Sequence, residues 1–374
     1  LSGTARSFDA VIIGAGMAGA SLGAELAQHM SVLMIEMEHQ PGYHATGRSV
    51  AFWSESYGGP MVRPLSLASR AFLETPDPDF SEDGFLQQRG AVHIGRVRDV
   101  ARRDALMADF SGASVFAPMT ADQMCAHIPA LRPEWVIGLE ERSTCDIDVA
   151  RLHAAYLRSY ARHGGESASS TRFIGAQKDG DGWRVRLSSG DIHTGLVINA
   201  AGAWADDIAR ASGVASLGIQ PLLRTVVQLR VDPAAPDTLP LVMDLAGRFY
   251  FKPVGGGRIW LTPHDEQPAV PSDVAPDELD IAVAIERLSQ VVDWRIDAVE
   301  RKWAGLRSFA PDRLPVYGHD PDLSGFFWFA GQGGFGIQSA PAAARLAAGL
   351  ILGTGDDPVV RGIDPYAYSP SRLR

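Results

Sequence analysis

The sequence predicts a two-domain α/β + β protein, and three observations carry that expectation. A strand–turn–helix–strand unit opens the chain, further strand-to-turn crossings recur at 199–204 and 331–338, and aromatic-rich strand segments lie between them. The 374 residues are more than one core of roughly 150 residues accommodates. Apolar residues at 46% and charged residues at 21% exclude a disordered or fibrous chain.

The first element is Ala10-Val11-Ile12-Ile13, a short apolar run of the kind buried in parallel sheets. It enters Gly14-x-Gly16-x-x-Gly19, then a helical stretch with Leu22 and Leu26 four apart, then a strand at 31–36 that ends in Glu36. In this pattern Gly14 permits the tight turn, Gly16 admits a pyrophosphate to the backbone, and Gly19 lets helix and strand pack closely. Ala18 lies in the same turn. The helix N-terminus, with free N–H groups and about half a positive charge, favours the phosphates. Glu36, 22 positions after Gly14, is placed to accept the ribose hydroxyls of an adenosine. Glu38 is expected to be solvated. The pattern indicates a dinucleotide without choosing between a flavin and a nicotinamide.

Farther along, 148–163 reads as a helix capped by Asp146 or Asp148 and stopped by Gly164. Strands are expected at 183–187 and 192–199, Trp260 and 326–329 mark further strands, and Arg307 is expected just after an apolar strand at 303–306. An Ala-rich helix is expected over 339–352. The Pro- and Asp-rich stretches 75–81, 231–240 and 263–277 read as surface loops or domain crossings.

Lys and Arg number 34 against 44 Asp and Glu, a formal charge of -10, which disfavours nucleic acid and anionic lipid as partners. Only Cys125 and Cys145 are present, without metal-site or disulfide spacing, so two reduced thiols are expected. No apolar run reaches the ~20 residues of a spanning helix. The expected location is cytoplasmic, with at most loose membrane association through an electron acceptor. The histidines lack metal-ligand spacing, and neither a nucleophile elbow nor a phosphate-binding P-loop occurs.

Four segments together carry a resemblance: the opening βαβ unit, Gly42-Tyr43-His44-Ala45-Thr46-Gly47-Arg48-Ser49, Asn199-Ala200-Ala201-Gly202-Ala203-Trp204, and the run 331–338. In that order they resemble the FAD-dependent family of D-amino-acid dehydrogenases, glycine oxidases and sarcosine oxidases. Within it, Phe249-Tyr250-Phe251-Lys252-Pro253, Trp303-Ala304-Gly305-Leu306-Arg307-Ser308-Phe309 and Gly333-Gly334-Phe335-Gly336-Ile337-Gln338 are most similar to D-arginine dehydrogenase-like proteins.

The resemblance implies a glutathione-reductase-like FAD domain (1–80, 146–215 and 305–374) and an inserted, largely antiparallel substrate domain (81–145 and 216–304). It implies non-covalent FAD, since no cysteine lies near Arg307. Gly14, Gly16, Gly19 and Glu36 would hold the ADP half, and Arg48 and Ser49 would line the pyrophosphate path. Ala200, Gly202, Trp204 and Gly305 would flank the cofactor, and Gly333, Gly334, Gly336, Ile337 and Gln338 would meet its flavin end. Arg224, Arg307, Tyr57 and Tyr250 would hold a substrate carboxylate while hydride leaves the α-carbon for flavin N5, and dioxygen, a quinone or another carrier would accept the electrons. Those residue types suit the task. A guanidinium fork binds a carboxylate through two parallel hydrogen bonds, and tyrosine hydroxyls can share its oxygens.

Arginine-selective relatives carry an acid for the substrate guanidinium, but the corresponding stretch 89–94 has none, and Phe52-Trp53 is expected to make the flavin face bulky and apolar. A smaller or apolar D-amino acid is therefore expected, since a buried unpaired cation is costly. The same architecture would also serve an L-2-hydroxy acid or an N-methyl glycine derivative.

Overall fold

The computed structural model describes residues 6–355 and 357–374. The first sheet is built on parallel strands. Arg6–Ile13 lies between Val32–Ile35 and Gly190–Asn199, with Glu166–Ala168 beyond Val32–Ile35. Gly190–Asn199 changes partner along its length. Its first half pairs antiparallel with Gly182–Leu187, and residues 197–199 pair in parallel with Phe326–Ala330. Period-two alternation sends Ile12, Met34, Ile198 and Phe327 into one core and Val11, Leu33, Val197 and Phe326 into another. Because both faces are covered, these strands read as unbroken apolar runs.

The helices Met17–Leu26, Val149–Arg162 and Ala340–Leu352 cover one face. Asp148 caps the second by accepting a hydrogen bond from the Arg151 N–H at 3.0 Å.

The second sheet has eight strands, in the order Arg295–Phe309, Gln220–Ala235, Gly257–Thr262, Tyr250–Pro253, Leu241–Asp244, Ala91–Gly95, Ile137–Glu141 and Ala117–Met119. All neighbours are antiparallel except Leu241–Asp244 beside Ala91–Gly95. Its far face packs Val227, Phe249 and Phe251 against Ile281, Ala284 and Leu288 of the helix Glu278–Ser289. A short third sheet, Phe52–Trp53 with Cys145–Ile147 and Leu86–Gln88, joins the two halves. The expected α/β + β fold class is thus what the chain adopts.

Two local expectations need correction. The stretch 231–240 is not wholly a loop: the strand runs to Ala235, because Val231 and Asp232 pair with Ile296 and Arg295. Arg307, expected just beyond a strand, lies inside Arg295–Phe309. Among the described residues, no helix is long and apolar enough to cross a membrane. Cys125 is an exposed free thiol and Cys145 a buried one.

Candidate active site

One cavity of about 440 Å³ runs from the first glycine turn to the edge of the second sheet. At the turn, Gly14 has φ +102°, and a Cβ there would lie 2.7 Å from the Ala200 carbonyl oxygen. A side chain is excluded both by the left-handed backbone and by the neighbouring crossing. Gly16 caps the helix Met17–Leu26 without a side-chain acceptor. The Met17 N–H donates instead to Thr46 Oγ1 at 2.9 Å, which ties the 42–49 segment over the turn. Glu36 accepts from the Ala15 N–H at 3.0 Å and the Glu38 N–H at 3.0 Å while lining the cavity. Backbone donors at a helix start, small residues around them and an acid at the second strand's end form a donor set that suits a dinucleotide.

The opposite end is made of side chains. In the antiparallel pairing, Leu222 faces Arg307 and Arg224 faces Gly305, so the two arginines stand diagonally on one face of the sheet. Arg224 is 5% exposed; its Nε donates to the Asp265 carbonyl at 3.0 Å, and its Nη1 is buried with no partner among the described residues. Arg307 Nη1 donates to Tyr57 Oη at 3.2 Å, which leaves the hydroxyl hydrogen of Tyr57 free to donate elsewhere. Burial raises the Tyr57 and Tyr250 hydroxyl pKa values above the ordinary range, with Arg224 opposing, so both remain protonated donors.

Beneath this end, the 54–57 turn is gripped from both sides. Gln338, 1% exposed, accepts from the Ser54 N–H at 3.0 Å and donates to the Tyr57 carbonyl at 3.1 Å. From the second sheet, the fully buried Glu141 accepts from Ser54 Oγ at 2.8 Å and Ser56 Oγ at 2.6 Å, and it pairs with His93 Nε2 at 3.1 Å. Desolvation pushes the Glu141 carboxyl upward. The hydrogen bonds from His93, Ser56 and Ser54 outweigh it and hold the carboxyl below the usual range.

The cavity wall includes Gly14, Gly16, Ala18, Glu36, Arg48, Ser49, Tyr57, Ala200, Gly202, Trp204, Arg224, Tyr250, Gly305, Arg307, Gly333, Gly334, Gly336, Ile337 and Gln338. Gly19 is off the wall: a Cβ there would overlap the Gly14 carbonyl oxygen, so its role is helix-on-strand packing. Gln338 is on the wall, but its amide is spent on the 54–57 turn. Phe52 lines the cavity, whereas Trp53 is fully buried behind it and donates to the Ser66 carbonyl at 3.0 Å. Glu38 is not simply solvated: it pairs with His44 Nε2 at 2.9 Å, and the His44 ring stands 4.7 Å from that of Trp204.

Sequence reasoning missed Thr46, Glu141 and Glu266. Thr46 stood within a quoted motif; the other two carried no local signal. Arg48 also reaches farther than its motif suggested, pairing with Asp273 and donating to the Ala304 carbonyl at 3.1 Å.

Glycine oxidase of Pseudomonas aeruginosa is 31% identical to this chain over 227 residues, 60% of this chain and 58% of that protein. FAD-dependent oxidoreductase domain-containing protein 1 of Xenopus laevis is 25% identical over 93% of this chain and 79% of its own length. The crystal structure of glycine oxidase from Geobacillus kaustophilus superposes with a TM-score of 0.85 at 22% identity, covering 98% of this chain and 99% of that one, a likeness of fold. Residues 9–350 match the FAD dependent oxidoreductase family, DAO, and the glycine turn, Glu36 and the two cavity arginines all fall within that span: the chain belongs to this family of flavoenzymes.

Proposed function

We propose that the protein oxidises an α-amino acid, a small or apolar D-amino acid rather than a cationic one. The observation that carries this reading is the pair Arg224 and Arg307 on the cavity wall with Tyr57 and Tyr250, Arg224 Nη1 being buried and without a partner among the described residues. A buried guanidinium with an open donor is costly until an anion meets it, and a carboxylate has the required planar geometry. FAD, when bound, supplies a two-electron sink at its N5 position. The arginines and tyrosines would fix the carboxylate and aim the α-hydrogen, a positioning effect that can supply much of the catalysis. Loss of the α-hydrogen as hydride and of one N–H proton turns the amino acid into an imino acid, which water hydrolyses to a 2-oxo acid and ammonia.

Phe52, Val226 and Tyr250 supply an apolar stretch of the wall, and among the described residues no free carboxylate stands there to receive a substrate cation. The D-arginine dehydrogenase-like strings around Tyr250, Arg307 and Gly334 support the D configuration. The proposed division assigns 1–80, 146–215 and 305–374 to FAD and 81–145 and 216–304 to the substrate. The reduced enzyme would pass its electrons to dioxygen, a quinone or another carrier, in the cytoplasm.

Near the arginines, the nearest imidazole is His264, which burial first and the charge of Arg224 second push down to about 4. It is neutral at working pH and lies off the cavity wall. The substrate must therefore arrive with its amine already neutral, and kcat/KM should rise with pH along the substrate's own ammonium ionisation. Substrates of differing amine pKa test this; a profile that ignores the substrate's pKa would refute it. The decisive experiment is anaerobic bleaching of the flavin by D- and L-amino and 2-hydroxy acids. D-methionine, D-leucine and D-phenylalanine should reduce it faster than D-arginine and D-lysine, and a preference for D-arginine or for an L-2-hydroxy acid would overturn the proposal.

A further inference from the structure

Glu266 lies on the segment 263–277, between Gly257–Thr262 and Glu278–Ser289, in no motif that the fold requires. Its Oε1 accepts from Arg307 Nη2 at 2.7 Å, Arg313 Nη2 at 2.9 Å and Arg224 Nη2 at 3.4 Å, and its Oε2 from Arg313 Nη2 at 3.0 Å. Both site arginines line the cavity, yet Glu266 does not. The opposite corner of Arg307 lies against two residues of the cavity wall. Arg307 Nη1 reaches Tyr57 Oη, and a Cβ on Gly334 would lie 2.8 Å from that same nitrogen. Arg224 Nη1 and Arg307 Nε are buried without a hydrogen-bond partner among the described residues.

We infer that Glu266 is a positioning residue for the carboxylate site: it grips the Nη2 corners of Arg224 and Arg307 from behind and so presents their Nη1 corners to the substrate. The inference rests on the reading that these two arginines bind the substrate carboxylate.

The bracket is held by backbone. Leu223 N–H donates to the Gln267 carbonyl at 2.8 Å, Ala269 N–H to the Pro221 carbonyl at 3.0 Å, and Thr225 N–H to Asp265 Oδ1 at 2.8 Å. Glu266 is therefore seated on the strand that carries Arg224. Without it, the Nη2 corners of both arginines would lose their shared anchor and three guanidiniums would repel one another. The carboxylates of Asp265 and Glu266 against three guanidiniums leave one positive charge, which matches a single substrate carboxylate. The same arrangement occupies Glu266 fully, so it offers nothing to a cationic side chain.

The test is the dissociation constant of acetate for the FAD-loaded enzyme, read by titration calorimetry and by the absorbance shift of the flavin. Glu266→Ala should weaken acetate binding by about tenfold or more, while Glu266→Gln, whose amide oxygen still accepts from the Nη2 corners, should stay within about threefold of wild type. That rescue would not be expected of a residue serving only global stability. Arg307→Ala should abolish acetate binding. If Glu266→Ala binds acetate as tightly as wild type or tighter while Arg307→Ala fails, Glu266 does not position the arginines and the carboxylate site stands. If Arg307→Ala and wild type are indistinguishable, the carboxylate reading itself falls. Should Glu266→Ala fail to fold, Glu266→Asp takes its place. Its carboxylate is one methylene short of both arginines, so it should bind acetate more weakly than Glu266→Gln, and the reverse order would overturn the inference.

Discussion

The two ends of the cavity are made by opposite means. The glycine-turn end is drawn mainly from one βαβ unit, residues 13–14, 16–18 and 35–37, closed by Thr46 and Ala200, and it works through backbone N–H groups and the absence of side chains. The sheet end gathers Tyr57, Arg224, Tyr250 and Arg307 from distant segments and works through charge, with acids from elsewhere holding the charges in place. The difference teaches where each end is vulnerable. The first fails sterically, by one added carbon, and salt or pH should hardly matter. The second fails electrostatically and in graded fashion, because each charged group has several partners.

Four substitutions would sharpen or break that contrast. The largest effect is expected of Gly19→Val, whose Cβ overlaps the Gly14 carbonyl oxygen. It should cost more than about 3 kcal/mol, seen as lost soluble yield or a steep fall in Tm, since backbone cannot move aside as a side chain can. A variant that folds and retains FAD would break the steric account.

Next, Arg307→Ala should weaken substrate binding by about 3 kcal/mol while leaving FAD content intact, as a lost charged hydrogen-bonding partner does. An unchanged KM would remove Arg307 from the site.

Glu141→Gln should destabilise the protein by about 2 kcal/mol at neutral pH, by loosening the turn that carries Tyr57. Here the sign with pH is definite. A carboxyl held below its ordinary 4.5 in the folded state contributes stability that is present above that value and is lost as pH falls through the lowered one. The wild-type advantage over Glu141→Gln, measured by urea unfolding, should therefore shrink on acidification below about pH 4.5. A gap that is constant with pH would mean that the carboxyl does not ionise in place.

The smallest effect belongs to Asp273→Ala. Its ion pair with Arg48 is exposed on the aspartate side, so about 0.5 kcal/mol is expected, fading in high salt. A larger, salt-insensitive loss would show that the 263–277 segment depends on this pin.

Much of the glycine-turn end was legible because its determinants are local. Gly14, Gly16, Gly19 and Glu36 lie within one βαβ unit, where each residue type answers to a turn, a helix start or a strand end. The sheet end was legible only through resemblance, and there incompletely. Arg224 and Arg307 could be named, but the acid at Glu266 could not, since 263–277 reads as an ordinary loop. Nor could Glu141, whose partners Ser54 and Ser56 are 87 and 85 positions away. Trp53 shows the converse error: adjacent to a wall residue, it was expected on the wall and lies behind it, because successive strand residues face opposite sides.

Taken alone, the amino-acid order determined the α/β + β class and the glycine turn with an acid at the end of the second strand, because those depend on spacings of a few residues and on the limits of backbone geometry. Tertiary structure decided which charges meet. Arg307 and Tyr57 are 250 positions apart, and Arg307 and Glu266 are 41 apart. Contacts of that span arise only when two sheets and the loops between them have packed, and no local preference of either residue encodes them.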